Sequence, residues 1–180
     1  MSGSSAGITY PWYAQVDNAE PLQQGDFVLN CQIIQPSVEV QQADQNIRAV
    51  VKEYDVIVMS QSCDLVADKI NLALVCPFYS LTKLGNIYSE YKSAGKKEKL
   101  RQGNIFGMHL LNECNVNGAN DFLVVDFKSV YAVPLPFLKQ IISARSNRKR
   151  LLPPYREHLS QAFARFFMRV GLPVDIPAFK

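Results

Sequence analysis

Residues 55–65 read Asp-Val-Ile-Val-Met-Ser-Gln-Ser-Cys-Asp-Leu. Positions 56–59 form a short continuous apolar run, the pattern of a strand buried on both faces. The run stops at Ser60, Gln61, Ser62, Cys63 and Asp64, all small or polar. A buried strand that delivers hydroxyls, an amide, a thiol and a carboxylate to its end is a rigid support for a site. The stretch therefore predicts a core strand and marks where a chemical centre would stand.

Outward from it, the pattern stays that of strands. Gln23-Gln24-Gly25-Asp26 is a turn, and residues 27–34 form a first strand that ends before Pro36. Val38 and Val40 alternate with polar residues, a turn follows at 44–46, and residues 47–52 return as the other arm of a hairpin. Residues 70–77 are a second buried strand. Residues 83–102 mix Lys92, Lys96, Lys97, Lys99 and Arg101 with Tyr88, Tyr91 and Leu100, an exposed helix weakened by Gly95. Strands are expected at 105–111, 122–127 and 130–133, with a turn-rich break at 115–120.

The chain ends in a helix. Pro153-Pro154 opens it, and Leu159, Phe163, Phe166, Phe167 and Val170 fall on one face. Gly171 and Pro173 close it. Arg156, Glu157, Gln161 and Arg165 are expected to look outward. The fold class is mainly β, of the α+β kind: a small barrel with a helical insertion and a C-terminal amphipathic helix. Residues 1–20 read as a flexible lead-in. Residues 21–180 read as one domain, with the barrel over about 24–135 and a helical segment over about 138–173.

Composition sets the class. At 180 residues, 48% hydrophobic and 19% charged, the chain is long and apolar enough to bury a core. No apolar stretch approaches the roughly 18 residues of a membrane span. The first residues lack a basic segment and an apolar core, so no secretory signal is read and a cytoplasmic location is expected. Four cysteines stand far apart with no C-x-x-C pair, which argues for free thiols and against a metal or other cofactor. Charge is uneven. Residues 1–138 carry 10 Lys+Arg against 14 Asp+Glu, whereas residues 139–180 carry 9 against 2. That asymmetry suits an anionic partner such as RNA, or a tail that pairs with the acidic body of the same molecule.

Two stretches could carry chemistry. In the first, Cys63 or one of Ser60 and Ser62 is the nucleophile and Asp64 orients a partner. A nucleophilic thiol needs a cationic or imidazole neighbour, and His109 and His158 are the histidines of the chain. The alternative is that Ser, Gln and Asp hydrogen-bond a tight turn with Cys63 packed beneath it. In the second stretch, Arg145, Arg148, Lys149 and Arg150 stand within six residues and could clamp phosphates. Its alternative is a linker whose arginines pair with acidic residues of the sheet.

Gly25-Asp26-Phe27-Val28 opening a strand, then 55–60 ending in serine, then Asn71-Leu-Ala-Leu-Val-Cys-Pro77, resemble the core of the PemK/MazF-like toxins. The Ser-Gln-x-Cys-Asp continuation is also similar to bacterial proteins that pair such a barrel with an Arg/Phe-rich C-terminal helix. The resemblance covers residues 24–80. It implies an SH3-like barrel and metal-independent RNA cleavage in a toxin–antitoxin or phage-defence system. Arg48 is the basic residue nearest the loop where those toxins carry an arginine. The expected site is then Ser60, Ser62, Cys63, Asp64 and Arg48, with Arg145, Arg148, Lys149 and Arg150 on the nucleic acid. A non-catalytic protein-interaction module or homodimer, and a cysteine hydrolase using Cys63 with His109, are the other readings.

Overall fold

A computed structural model describes residues 10–36, 49–116 and 118–168. Val38, Val40, the turn at 44–46, Arg48, Val170, Gly171 and Pro173 lie outside them. The chain starts with β1 (Tyr13–Asp17), followed by β2 (Phe27–Pro36) and β3 (Ala49–Val58). The one-turn helix α1 (Ser62–Val66) leads to β4 (Leu72–Ser80). A helical insertion follows, made of α2 (Leu81–Ile87), a 3-10 turn at Ser89–Lys92 and α3 (Ala94–Arg101). Then come β5 (Met108–Asn115), β6 (Asn120–Asp126), β7 (Tyr131–Pro134) and α4 (Leu135–Ser143). β8 (Asn147–Leu151) and α5 (Tyr155–Phe167) complete it. The fold is α+β and mainly sheet.

The apolar run at 56–59 is the end of a longer strand. Lys52-Glu53-Tyr54-Asp55 contains no glycine or proline to break it, so the expected hairpin arm and the buried run merge into β3. Burial on both faces is visible residue by residue. Val56 and Val58 enter one apolar cluster with Val75, Leu135 and Leu138, while Ile57 and Met59 enter another with Cys76, Phe78 and Leu159. A third, smaller cluster of Leu84, Tyr91, Leu100, Met108 and Val124 holds the helical insertion on the sheet. Ser80 and Ser93 start α2 and α3 by accepting hydrogen bonds from Lys83 N and Lys96 N.

The main sheet is antiparallel, in the order β2-β3-β4-β6-β5, with β7 also on β4. Val75 pairs with Val58 on one edge and Tyr131 on the other. β6 and β7 thus lie along one edge of β4 as a broken strand, with residues 127–130 looped out between them. The end strands β2 and β5 do not pair, so the sheet curls without closing into the expected barrel. Side chains of β8, α5 and the β1 region fill the opening: Leu151, Leu159, Trp12 and Tyr13 pack in the same cluster as Phe27 of β2 and Leu111 of β5.

Two segments differ from expectation. Residues 13–17, placed in the lead-in, pair as β1 with β8, and Trp12 stacks on Tyr155 with ring centroids 3.6 Å apart. Residues 138–173, expected to be helical, contain β8 between two helices. Its residues read as a charge run, but burial alternates along it, with Arg148 and Arg150 turned inward. Ion pairing inside the protein has overridden the polar appearance of the segment.

Candidate functional site

The polar turn after β3 does stand at a sheet terminus, and it is held by its own hydroxyls. Ser60 Oγ accepts from Leu74 N at 2.8 Å, and Ser62 Oγ accepts from Gln24 N at 3.1 Å. Buried Gln24 in turn donates from Nε2 to the Met59 carbonyl at 2.8 Å and reaches Ser160 Oγ of α5 at 3.5 Å. Ser60 and Ser62 therefore tie β4 and the Gln24 loop to the end of β3. Cys63 is exposed rather than packed beneath the turn, and its thiol lies 3.6 Å from Asp64 Oδ1. That carboxylate is its one hydrogen-bond partner among the described residues. His109 is on β5, where it stacks on Phe127, so the pairing of Cys63 with His109 is not assembled. Asp68 pairs with Lys139, and no group of His, Cys, Asp and Glu among the described residues is arranged to hold a metal.

The other three cysteines are buried. Burial pushes the Cys31 thiol up to about 11, against a lowering by Arg145, and the Cys76 thiol up to about 12, with Asp126 adding to the effect. Burial also raises Cys114, which Lys149 partly offsets. Each is held as a neutral thiol in the core.

The basic stretch divides by strand alternation. Arg148 and Arg150 point at Asp26, whose carboxylate is fully buried and whose partners' side chains are 3% and 8% exposed. Arg148 Nε donates to Asp26 Oδ2 at 2.8 Å; Arg150 donates to Oδ1 through Nε and to Oδ2 through a terminal nitrogen at 3.0 Å. Gln23 N adds a further hydrogen bond to Oδ2. The remaining guanidinium donors are taken by the carbonyls of Asp17, Glu20 and Pro21. Neither arginine faces solvent. The resemblance placed the Gly25-Asp26 pair at a strand opening, and Asp26 is the residue that locks the β1–β8 ribbon to β2. Arg145 donates to the Leu29 carbonyl at 2.6 Å, and with Lys149 it lines a hollow of about 230 Å³ beside Gln15, Asn115 and Asn147. Of the four cations expected on a phosphate, Arg145 and Lys149 retain access to solvent.

A larger cleft, about 560 Å³, lies between α5 and the start of β5. His158, Gln161, Ala162, Arg165 and Phe166 line one wall at i, i+3, i+4, i+7 and i+8, a continuous helix stripe. His109 and Phe127 form the floor, and Gln102, Phe106 and Gly107 the far lip. The aromatic surface is continuous: Phe106 lies 5.0 Å from Phe166, and Phe127 lies 6.2 Å from Phe166, between ring centroids. Gly107, at φ +72°, lets the lip approach this closely, since a Cβ there would stand 2.6 Å from Lys128 Cγ and 3.2 Å from Phe166.

Both histidines of the chain meet in this cleft. Burial pushes the His109 imidazole down to about 4, and nearby His158 pushes in the same direction, so His109 is neutral at pH 7. His158 is exposed, with Tyr155 edge-on at 6.2 Å. Arg165 is exposed and has no ion-pair or hydrogen-bond partner among the described residues. The cleft thus offers aromatic faces, amide side chains, a free guanidinium and two imidazoles in one concavity, the mix expected of a ligand site. Sequence reasoning missed it. The signal was the flank of the terminal helix, where His158, Gln161 and Arg165 recur at helical spacing beside the apolar face.

Set against known proteins, the chain matches no family model, and no curated protein shows a significant match.

Proposed function

We propose that the protein binds single-stranded RNA and that the cleft between α5 and β5 is where it does so. One observation carries this reading: an unpaired arginine and an aromatic surface share one wall of the largest concavity in the fold. An exposed ring stacks a nucleobase of any identity, and a guanidinium holds the neighbouring phosphate. Phe106 and Phe166 supply the stacking surface, Arg165 the phosphate contact, and Gln102 and Gln161 hydrogen bonds to a base edge. The basic excess of residues 139–180, from which α5 comes, adds long-range attraction. The resemblance to PemK/MazF-like toxins puts this activity in a toxin–antitoxin or defence setting.

The test is fluorescence anisotropy with a labelled oligoribonucleotide at low salt, repeated with Arg165→Ala and Phe106→Ala. The expected result is weaker binding in both, with a shallower salt dependence in Arg165→Ala alone, because one phosphate contact is lost. Binding that neither substitution changes would overturn the assignment.

A second reading rests on a different surface. Ile34, Val51 and Leu72, 72%, 56% and 53% exposed, lie with Val50 and Leu74 near an apolar hollow of about 460 Å³ between β2, β3 and β7. Exposed apolar side chains grouped like this suit a protein-interaction module or a homodimer. Sedimentation at increasing concentration, with Ile34→Lys as the control, separates it from a monomeric RNA binder.

A further inference from the structure

The RNA-binding reading leaves the two histidines of the cleft without a task. We infer that His109 and His158 form a general base and general acid pair that cleaves bound RNA by internal transesterification. The inference rests on the cleft being the RNA site, and goes beyond it by assigning a reaction.

Each role follows from position. His109 is held from β5 at the floor of the cleft, half-buried, with its ring stacked on Phe127 at 6.1 Å between centroids. Burial keeps it unprotonated at neutral pH, so one ring nitrogen has a free lone pair. A ring fixed by stacking and backed by the sheet is a positioned proton acceptor. His158 stands at the solvent-facing wall, on the first turns of α5 and next in sequence to Glu157. Burial would raise the Glu157 carboxyl, but hydrogen bonds from Arg156 and its own backbone, with Arg156 and His158 nearby, hold it below the usual carboxylate range. An ionised carboxylate there favours the protonated imidazole that an acid must be. Arg165, two turns further along the same stripe, is placed to meet charge developing on the phosphate oxygens.

In the step assigned, the unprotonated nitrogen of His109 takes the proton of the ribose 2′-hydroxyl. The 2′-oxygen forms a bond to phosphorus and the bond from phosphorus to the 5′-oxygen breaks. The protonated nitrogen of His158 gives its proton to that leaving 5′-oxygen. The products are a 2′,3′-cyclic phosphate and a free 5′-hydroxyl, and proton exchange with water restores both imidazoles. No metal, water nucleophile or redox partner enters the balance.

The experiment uses the full chain and two labelled strands, an all-RNA oligonucleotide and its 2′-O-methyl analogue, which binds but has no 2′-hydroxyl. Cutting of the RNA alone, with a cyclic-phosphate end identified by mass spectrometry, is expected. His109→Gln and His158→Gln should each slow cutting by about 10²–10⁴-fold while anisotropy on the 2′-O-methyl strand changes less than twofold. His158 is on an exposed helix surface, so its substitution tests the idea even if His109→Gln loses stability. A strand that binds at the cleft and is never cut overturns the inference and leaves the binding reading standing. Cutting at the wild-type rate in either variant also overturns it. Absence of binding at low salt removes both.

Discussion

Replacing Asp26 by asparagine perturbs the one place where like charges are stacked inside the protein. The Asp26 carboxylate is 0% exposed and faces two guanidiniums whose side chains are 3% and 8% exposed. Asparagine keeps the shape but removes the negative charge, and its amide group presents donors to a site already filled with donors. Two buried cations are then left without a counter-charge. Breaking a single buried pair costs about 3–5 kcal/mol, so at least about 4 kcal/mol is expected here. Against a domain stability of about 5–15 kcal/mol, that removes a quarter to most of the total. In thermal unfolding a loss of this size lowers the midpoint by roughly 8–16 °C for a chain of this length. Urea titration followed by tryptophan fluorescence reads the change, since Trp12 packs where the β1–β8 ribbon meets α5. A triple variant, Asp26→Leu with Arg148→Met and Arg150→Met, replaces the charges by apolar volume. It should be more stable than Asp26→Asn, though short of the native protein, because the carbonyls of Asp17, Glu20 and Pro21 lose their donors. A loss under about 1 kcal/mol in Asp26→Asn, or a triple variant weaker than the single one, would show that the carboxylate is not what neutralises the pair.

Other consequences follow from the same structure. His109 has a folded-state value of about 4 against an ordinary 6.5, so the unfolded chain binds the extra proton. Its contribution is complete above pH 6.5 and falls by roughly 3 kcal/mol as pH drops to about 4; urea midpoints across that window should flatten in His109→Gln relative to the native protein. Gly107→Ala meets both a positive φ and a 2.6 Å approach to Lys128, so it should destabilise by about 1–3 kcal/mol and weaken RNA binding at the cleft, read by thermal melting and anisotropy. A thiol reagent under native conditions should label Cys63 and spare Cys31, Cys76 and Cys114, which are buried; rapid reaction of more than one thiol would contradict the packing. Leu138→Ala empties a fully buried position between α4 and the sheet and should cost about 2–5 kcal/mol in urea titration.

Much of the sheet was legible because its signals are local. Residues 56–59 and 70–77 are continuous apolar runs, and each became a strand buried on both sides. The face of the terminal helix was legible too, through Leu159, Phe163 and Phe166, whose 3.6-residue spacing matches the buried contacts of α5. Phe167, expected on that face, is 58% exposed and touches Phe163 and Phe166 from the outside. The polar turn at 60–64 was placed at a strand end, as observed, but its serines are engaged in backbone hydrogen bonds, which no sequence pattern distinguishes from catalytic hydroxyls.

What the residues determined by themselves was therefore the alternation of strand, turn and helix, since hydrophobic periodicity and breakers act over a few neighbours. Tertiary structure decided what the charged residues are for. Arg148 and Arg150 read as a basic tail until β8 is laid beside β1, more than 120 positions away, and both turn onto Asp26. His109 and His158 carry no mutual signal until α5 crosses the start of β5 and encloses them in one cleft. The energy of a charge depends on which opposite charge and how much water it meets, and both are set by residues remote in the chain.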